Sequence, residues 1–173
     1  MKKKIGRALL YTAAAAVLVW FDQWTKALTL ALRKGQPQLE LIRGVLHLTY
    51  VENRGAIFGI GQNSTAFFAV LTPVCLAFVI YLYVKTPNER KFWWLRALCM
   101  LIAAGAVGNL IDRLSLGFVV DMIYFVPIDF PVFNVADCYV TVGTFGLAAL
   151  LLFWEELGDK MFPETEKKDK NHG

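Results

Sequence analysis

Four runs of this chain are long and apolar enough to cross a lipid bilayer, and that constrains its fold more than any other feature. They are Ala8–Leu32, Thr65–Val84, Phe92–Leu110 and Ala136–Leu157. A membrane helix needs about 20 such residues, because each adds only about 1.5 Å of rise across a hydrocarbon layer of about 30 Å. Of the 173 residues, 57% are hydrophobic and only 18% charged, a balance shifted away from soluble domains. The sequence predicts one integral membrane domain, all-α, with four transmembrane helices. A fifth apolar stretch, Leu114–Phe133, carries Asp121, Pro127, Asp129 and Pro131. Exposed irregular backbone is not tolerated in hydrocarbon. This stretch is therefore expected as an interfacial loop or helix between helices 3 and 4, partly covering the bundle.

The opening "MKKKIGR" followed by apolar residues has the form of a signal peptide. The apolar run continues too far, and no small-x-small cleavage site leads into a polar segment, so a retained first helix is expected. With a cytoplasmic N-terminus, the 18 Lys and Arg residues divide into twelve on the inner side and six on the outer side. By the positive-inside rule both termini then face the cytoplasm. The net charge of +4 is largely a topology signal, and no nucleic-acid partner is expected. The tail from about residue 162, ending "EKKDKNHG", is polar and mixed in sign and is expected to be disordered. Cys75, Cys99 and Cys138 form no C-x-x-C, and His47 and His172 stand apart. Neither a metal site nor a cofactor is expected.

Charged side chains at membrane depth are costly and face the bundle interior or water. The spacing obeys this rule. Asp22, Thr25, Lys26 and Thr29 make one stripe on helix 1, and Asp22 and Lys26 lie one turn apart, in position to pair. Gly105, Asn109, Asp112 and Arg113 make a second on helix 3, and Asn134, Asp137, Thr141 and Thr144 a third on helix 4. All three lie toward the outer helix ends, where they can converge. Each has a purely structural explanation taken singly: an ion pair at a helix end, hydrogen-bonding glue between helices, glycines for close packing, an interfacial anchor. Three polar stripes at one depth weaken that explanation jointly. Between helices 1 and 2, "LELIRGVLHLTYVEN" alternates on both sides of Arg43-Gly44, which predicts a small hairpin or curved sheet within about residues 38–60. "ENRGAIFGIGQN" follows, with glycines that suit a bent, closely packed return.

The segments "FDQWTK", "ENRGAIFG", "GAVGNLIDR", "GFVVDMIYF" and "FNVADCYVTVG" occur in an order and spacing that resembles the lipoprotein signal peptidases, the bacterial signal peptidase II family. The resemblance covers the chain outside its C-terminal tail. Ile57 departs from it, standing where a small residue is usual. The resemblance implies an intramembrane aspartic endopeptidase of the bacterial cytoplasmic (inner) membrane. Such enzymes remove the signal peptide from diacylglyceryl-modified prolipoproteins, cutting before the lipidated cysteine. It implies Asp121 and Asp137 as the catalytic pair. It implies supporting or substrate-contacting roles for Asn53, Gly55, Asn109, Asp112, Arg113 and Asn134, and for the pair Asp22 and Lys26. Its implied partners are the lipid-modified substrate, membrane lipids and the inhibitor globomycin. Two carboxylates held close share a proton, which suits one to activate water while the other donates toward the scissile carbonyl. The competing reading is a small proton- or cation-coupled transporter, which also places carboxylates in the membrane. Against it stand the absence of an internal repeat and the clustering of acidic residues on one side.

Overall fold

The computed structural model describes residues 2–55, 65–87 and 89–153. Four α-helices are present: α1 (Lys2–Arg33), α2 (Thr65–Lys85), α3 (Trp93–Ser115) and α4 (Val135–Phe153). Three strands, β1 (Leu39–Ile42), β2 (Leu46–Asn53) and β3 (Val119–Phe125), form an antiparallel sheet in the order β1-β2-β3. The protein is thus mostly helical with one small sheet. The expected tail, residues 56–60 of the outer element and residues 154–157 of helix 4 lie outside the described residues, as does Ile57.

Local chemistry sets the ends of these elements. After α1, Gly35 takes a left-handed φ of +74° and Pro37 blocks further helix. The β1–β2 turn passes through Gly44 at φ +69°, and the Val45 N–H donates to the Ile42 carbonyl at 3.0 Å. Gly117, at φ +80°, turns the chain from α3 into β3.

β3 is the principal correction to the sequence reading. The segment expected as an interfacial loop or helix contributes a strand that pairs along β2, with Val51 opposite Asp121 and Asn53 opposite Val119. Its run "VVDMIYF" is rich in β-branched and aromatic residues, but it lacks the polar alternation of a half-exposed strand because Val119, Val120, Asp121 and Met122 are all buried. Its pairing partner lies far back in the chain, so no local signal marks it. Pro127 and Pro131 close the strand, and Asp129 turns the chain at a φ of +47°.

α3 is the central helix, packed by α1, α2 and α4. Small residues bring α4 close: a Cβ on Gly143 would lie 2.6 Å from Ile102 Cγ1, and one on Gly105 would strike the Ala136 carbonyl oxygen. Val79, Leu82, Phe92, Leu95 and Cys99 form a buried apolar cluster near the α2–α3 connection. There Arg96 donates to the carbonyls of Thr86 at 3.0 Å and Pro87 at 2.5 Å, satisfying acceptors at the end of α2. α2 and the segment Arg90–Ser115 are long and apolar enough to cross a membrane, with mean hydropathies of 2.3 and 1.7. α2 is largely unburied, and Phe67, Val70, Val74 and Phe78 point away from the protein. An exposed apolar face of that kind marks a membrane or partner contact. α4 is shorter, its apolar stretch spanning Val135–Leu150.

Candidate active site

β3 and the first turn of α4 carry Asp121 and Asp137 into one cleft of about 580 Å³. Its polar rim includes Asn53, Gly55 and Arg113, and its apolar wall includes Phe68, Phe130, Phe133, Val140 and Val142.

Asp137 is held by a reciprocal cap. Asn134 precedes α4 and accepts the Asp137 N–H on Oδ1 at 2.9 Å, while Asp137 Oδ2 accepts the Asn134 N–H at 3.0 Å. This is a capping box with aspartate in the usual glutamate position, so the α4 start fixes the carboxylate's orientation. Asn109 on α3 donates to the other oxygen, Oδ1, at 2.8 Å. The Asn134 side-chain amide meanwhile donates to Asp121 Oδ1 at 2.6 Å and to Asn109 Oδ1 at 3.1 Å. One fully buried asparagine therefore touches both aspartates.

Asp121 receives a second donor from β2. Asn53 Nδ2 lies 2.9 Å from Asp121 Oδ2, and the Asn53 side-chain oxygen accepts the Gly55 N–H at 3.0 Å. Burial is the main influence on the Asp121 proton, followed by the negative charge of Asp137. Together they push its pKa up to about 7, against the opposing pull of Asn53, Asn134 and Lys26.

Beneath the cleft lies a buried charge cluster. Lys26 Nζ sits 2.9 Å from Asp22 Oδ2 and 3.2 Å from Asp112 Oδ2, and it donates to Asn109 Oδ1 at 2.9 Å. The expected Asp22–Lys26 pair is present, as part of a larger group that takes in Asp112. Asp112 and Arg113 diverge as adjacent helical residues must. Asp112 is buried in the cluster, while Arg113 enters the cleft with its guanidinium 5.3 Å from the Phe68 ring centre.

Other stripe members have different uses. Thr25 bonds the Asp22 carbonyl at 2.7 Å, Thr141 lines the cleft, and Thr144 is exposed. Gly105 serves close packing. Among the described residues no group of three or more His, Cys, Asp and Glu is arranged to hold a metal ion. The sequence reading overlooked Gln23, whose amide nitrogen lies 3.2 Å from Asp22 Oδ2, 2.9 Å from Asp112 Oδ1 and 3.1 Å from the Gly108 carbonyl. It also overlooked Phe68, while the Phe130–Phe133 wall falls in the apolar stretch expected to cover part of the bundle. Gln23 sits inside "FDQWTK" but one position off the helical stripe, and Phe68 looks like an ordinary lipid-facing residue in sequence.

The model of the family "Signal peptidase (SPase) II" matches residues 14–153. The chain belongs to the signal peptidase II family. The lipoprotein signal peptidase of Streptococcus thermophilus is 41% identical over 150 residues, covering 87% of this chain and 95% of that relative. That of Caldanaerobacter subterraneus is 45% identical over 139 residues, covering 80% and 92%. A bacterial membrane enzyme solved by the in meso method at 2.3 Å superposes with a TM-score of 0.73 at 32% identity, over 98% of this chain and 96% of that one. A second, at 1.9 Å, gives 0.73 at 34% identity over 86% and 94%. As a signal peptidase II, this protein is an aspartic endopeptidase that removes signal peptides from prolipoproteins. Membership of this membrane-enzyme family leaves the transporter reading without support.

Proposed function

We propose that Asp121 and Asp137 are the catalytic dyad, and that the substrate is a diacylglyceryl-modified prolipoprotein cut just before its lipidated cysteine. The observation that carries this reading is the cleft in which both carboxylates meet, bridged by Asn134. Two carboxylates at one site, one of them buried, favour a single proton between them, because the second ionisation is opposed by the first charge and by desolvation. The raised proton affinity of Asp121 accords with that state.

In the reaction, the ionised carboxylate takes a proton from a water molecule as its oxygen attacks the scissile carbonyl. The protonated carboxyl donates toward the carbonyl oxygen. Collapse of the tetrahedral intermediate breaks the C–N bond and delivers a proton to the leaving amine. Asn53, Asn109 and Asn134 donate to the carboxylates and hold their orientation. The guanidinium of Arg113, with its fixed fork of donors, is suited to peptide carbonyls of the bound substrate. The apolar wall of Phe68, Val140 and Val142 suits the signal peptide or the lipid chains.

In this reading α1 and α4 cross the bacterial cytoplasmic membrane beside α2 and α3. Both termini are cytoplasmic, and the sheet and cleft lie toward the outer side. The supports are the excess of Lys and Arg at the inner ends and the apolar outward faces. Globomycin is expected to compete for the same cleft. The test is to incubate purified protein with lipid-modified prolipoprotein and follow the mobility shift of the product. Asp121→Asn and Asp137→Asn should each insert, fold and fail to cleave, since an amide keeps the shape but cannot exchange the proton. Substantial cleavage by either variant would overturn the dyad.

A further inference from the structure

The two aspartates sit on different elements; Asn134 bridges them from within the site, and a second set of contacts holds their backbones from beneath. The backbone N–H immediately before each of them is held by a buried carboxylate. Val120 N–H donates to Asp112 Oδ2 at 3.0 Å, and Ala136 N–H donates to Asp22 Oδ1 at 2.9 Å. Asp112 thus grips β3 one residue before Asp121, and Asp22 grips α4 one residue before Asp137. The separation of Asp22 and Asp112 thereby helps set the separation of the dyad.

Left alone, Asp22 and Asp112 repel each other. Lys26 bridges them, but it is one cation against two anions and also donates to Asn109. A second bridge is needed, and the Gln23 amide provides it. Its nitrogen faces Asp22 Oδ2 and Asp112 Oδ1, on the side of Asp112 opposite the oxygen that Lys26 and Val120 use. The nearby Gly108 carbonyl accepts from the same nitrogen, tying the bridge to the α3 backbone. A neutral donor suits this place. It draws the two carboxylates together without the desolvation cost of another buried ion.

We propose that Gln23 is a positioning residue for prolipoprotein cleavage, which with Lys26 sets the spacing of Asp121 and Asp137 through the two carboxylates that grip their backbones. The proposal rests on the dyad reading above. Gln23 itself touches neither aspartate of the dyad, and it does not line the cleft. Its removal therefore leaves substrate contacts in place and loosens the reacting pair. A misplacement of about 1 Å at a reacting centre costs roughly a hundredfold in rate.

The experiment uses the full-length protein in detergent with lipid-modified prolipoprotein, and compares wild type with Gln23→Met, which keeps the length and loses the amide. Rates are normalised to the folded fraction from thermal unfolding. The expected result is a fall of roughly tenfold or more in kcat with KM little changed. The alkaline limb of the pH–rate profile should also move to lower pH. Asp121 faces Asp137 from α4, Asn134 from the residue before α4, Lys26 from α1, Arg113 from α3 and Asn53 from β2. Among these, closeness to Asp137 raises its proton affinity, and a looser pair lets the second proton leave earlier. If Gln23→Met leaves too little folded protein to assay, Asp112→Asn takes its place. That change keeps an oxygen for the Val120 N–H but removes the charge that Lys26 and Gln23 hold, and the same kcat loss and pH shift are expected. A wild-type kcat and pH profile per folded molecule, or a rise in KM alone, overturns the positioning role. Asp121→Asn and Asp137→Asn run in parallel. If either still cleaves, the dyad reading has failed; if both are dead while Gln23→Met matches wild type, only the positioning proposal has.

Discussion

Asn134 donates to Asp121 at 2.6 Å through its side chain while its own backbone N–H donates to Asp137 at 3.0 Å. One residue thus caps a helix and joins both aspartates of the proposed dyad. Replacing it with alanine should do two kinds of damage. Loss of the cap costs about 1 kcal/mol, seen as a lower unfolding midpoint. Loss of the bridge should lower kcat by about two orders of magnitude. Single-turnover cleavage by folded Asn134→Ala checks this, and a rate equal to wild type would limit Asn134 to capping.

The pKa of Asp121, raised from 3.8 to about 7, predicts opposite effects of Asp121→Asn on activity and stability. Between these values the unfolded chain has lost the proton and the folded chain has kept it, so wild-type stability falls as pH rises from about 4 to about 7. The asparagine variant lacks this dependence. It should be the more stable form at pH 7, by an amount on the order of 2–4 kcal/mol, with the gap closing toward pH 4. Wild-type cleavage should decline as pH rises past about 7, when Asp121 loses its proton. Unfolding curves of both forms across this range, with a pH–rate profile of wild type, test the sign. A gap that widens toward pH 4 contradicts it.

Gly108 and Gly6 make a matched pair of helical glycines. A Cβ on Gly108 would lie 2.5 Å from Asp22 Oδ2, whereas nothing lies within 4 Å of one on Gly6. Gly108→Ala should displace Asp22 and with it the Ala136 contact, costing about 1–3 kcal/mol and much of the activity. Gly6→Ala should be neutral or stabilise by up to about 1 kcal/mol through helix propensity. Thermal unfolding of both variants decides. Equal midpoints would mean that α1 yields freely at Asp22.

Arg113 stacks on Phe68 and lines the cleft. Arg113→Lys keeps the charge and loses the planar fork. It should raise KM and weaken globomycin binding with a smaller effect on kcat, and Phe68→Ala should shift KM in the same direction. Steady-state kinetics and an inhibitor titration measure both. Unchanged values in Arg113→Lys would assign Arg113 to anchoring alone.

Much of the site was legible because membrane depth makes polarity expensive. Asp22, Lys26, Asn109, Asp112, Asn134 and Asp137 fall on helical stripes, and in lipid such stripes must turn inward. The Asp22–Lys26 pairing followed from one-turn spacing. Asp121 was visible only as a carboxylate in apolar surroundings, since "VVDMIYF" carries no periodicity that separates a buried strand from a loop. Its place in β3 depends on pairing with β2, across 68 residues between Asn53 and Asp121. Gln23 was invisible for another reason. It lies off the stripe, and only the packing of α1 on α3 shows what it reaches.

The amino-acid sequence by itself determined the helices, their apolar faces, the outer hairpin and the inward stripes. All of these follow from hydrophobicity, periodicity and turn chemistry, which act over a few residues. The tertiary structure decided that β3 joins the hairpin, that Asn134 spans both aspartates, and that Asp22 and Asp112 grip the backbones ahead of them. Those contacts join residues as much as 114 positions apart. Long-range pairing depends on where whole elements pack, and the glycines that let α4 and α1 approach α3 this closely act only once the helices meet.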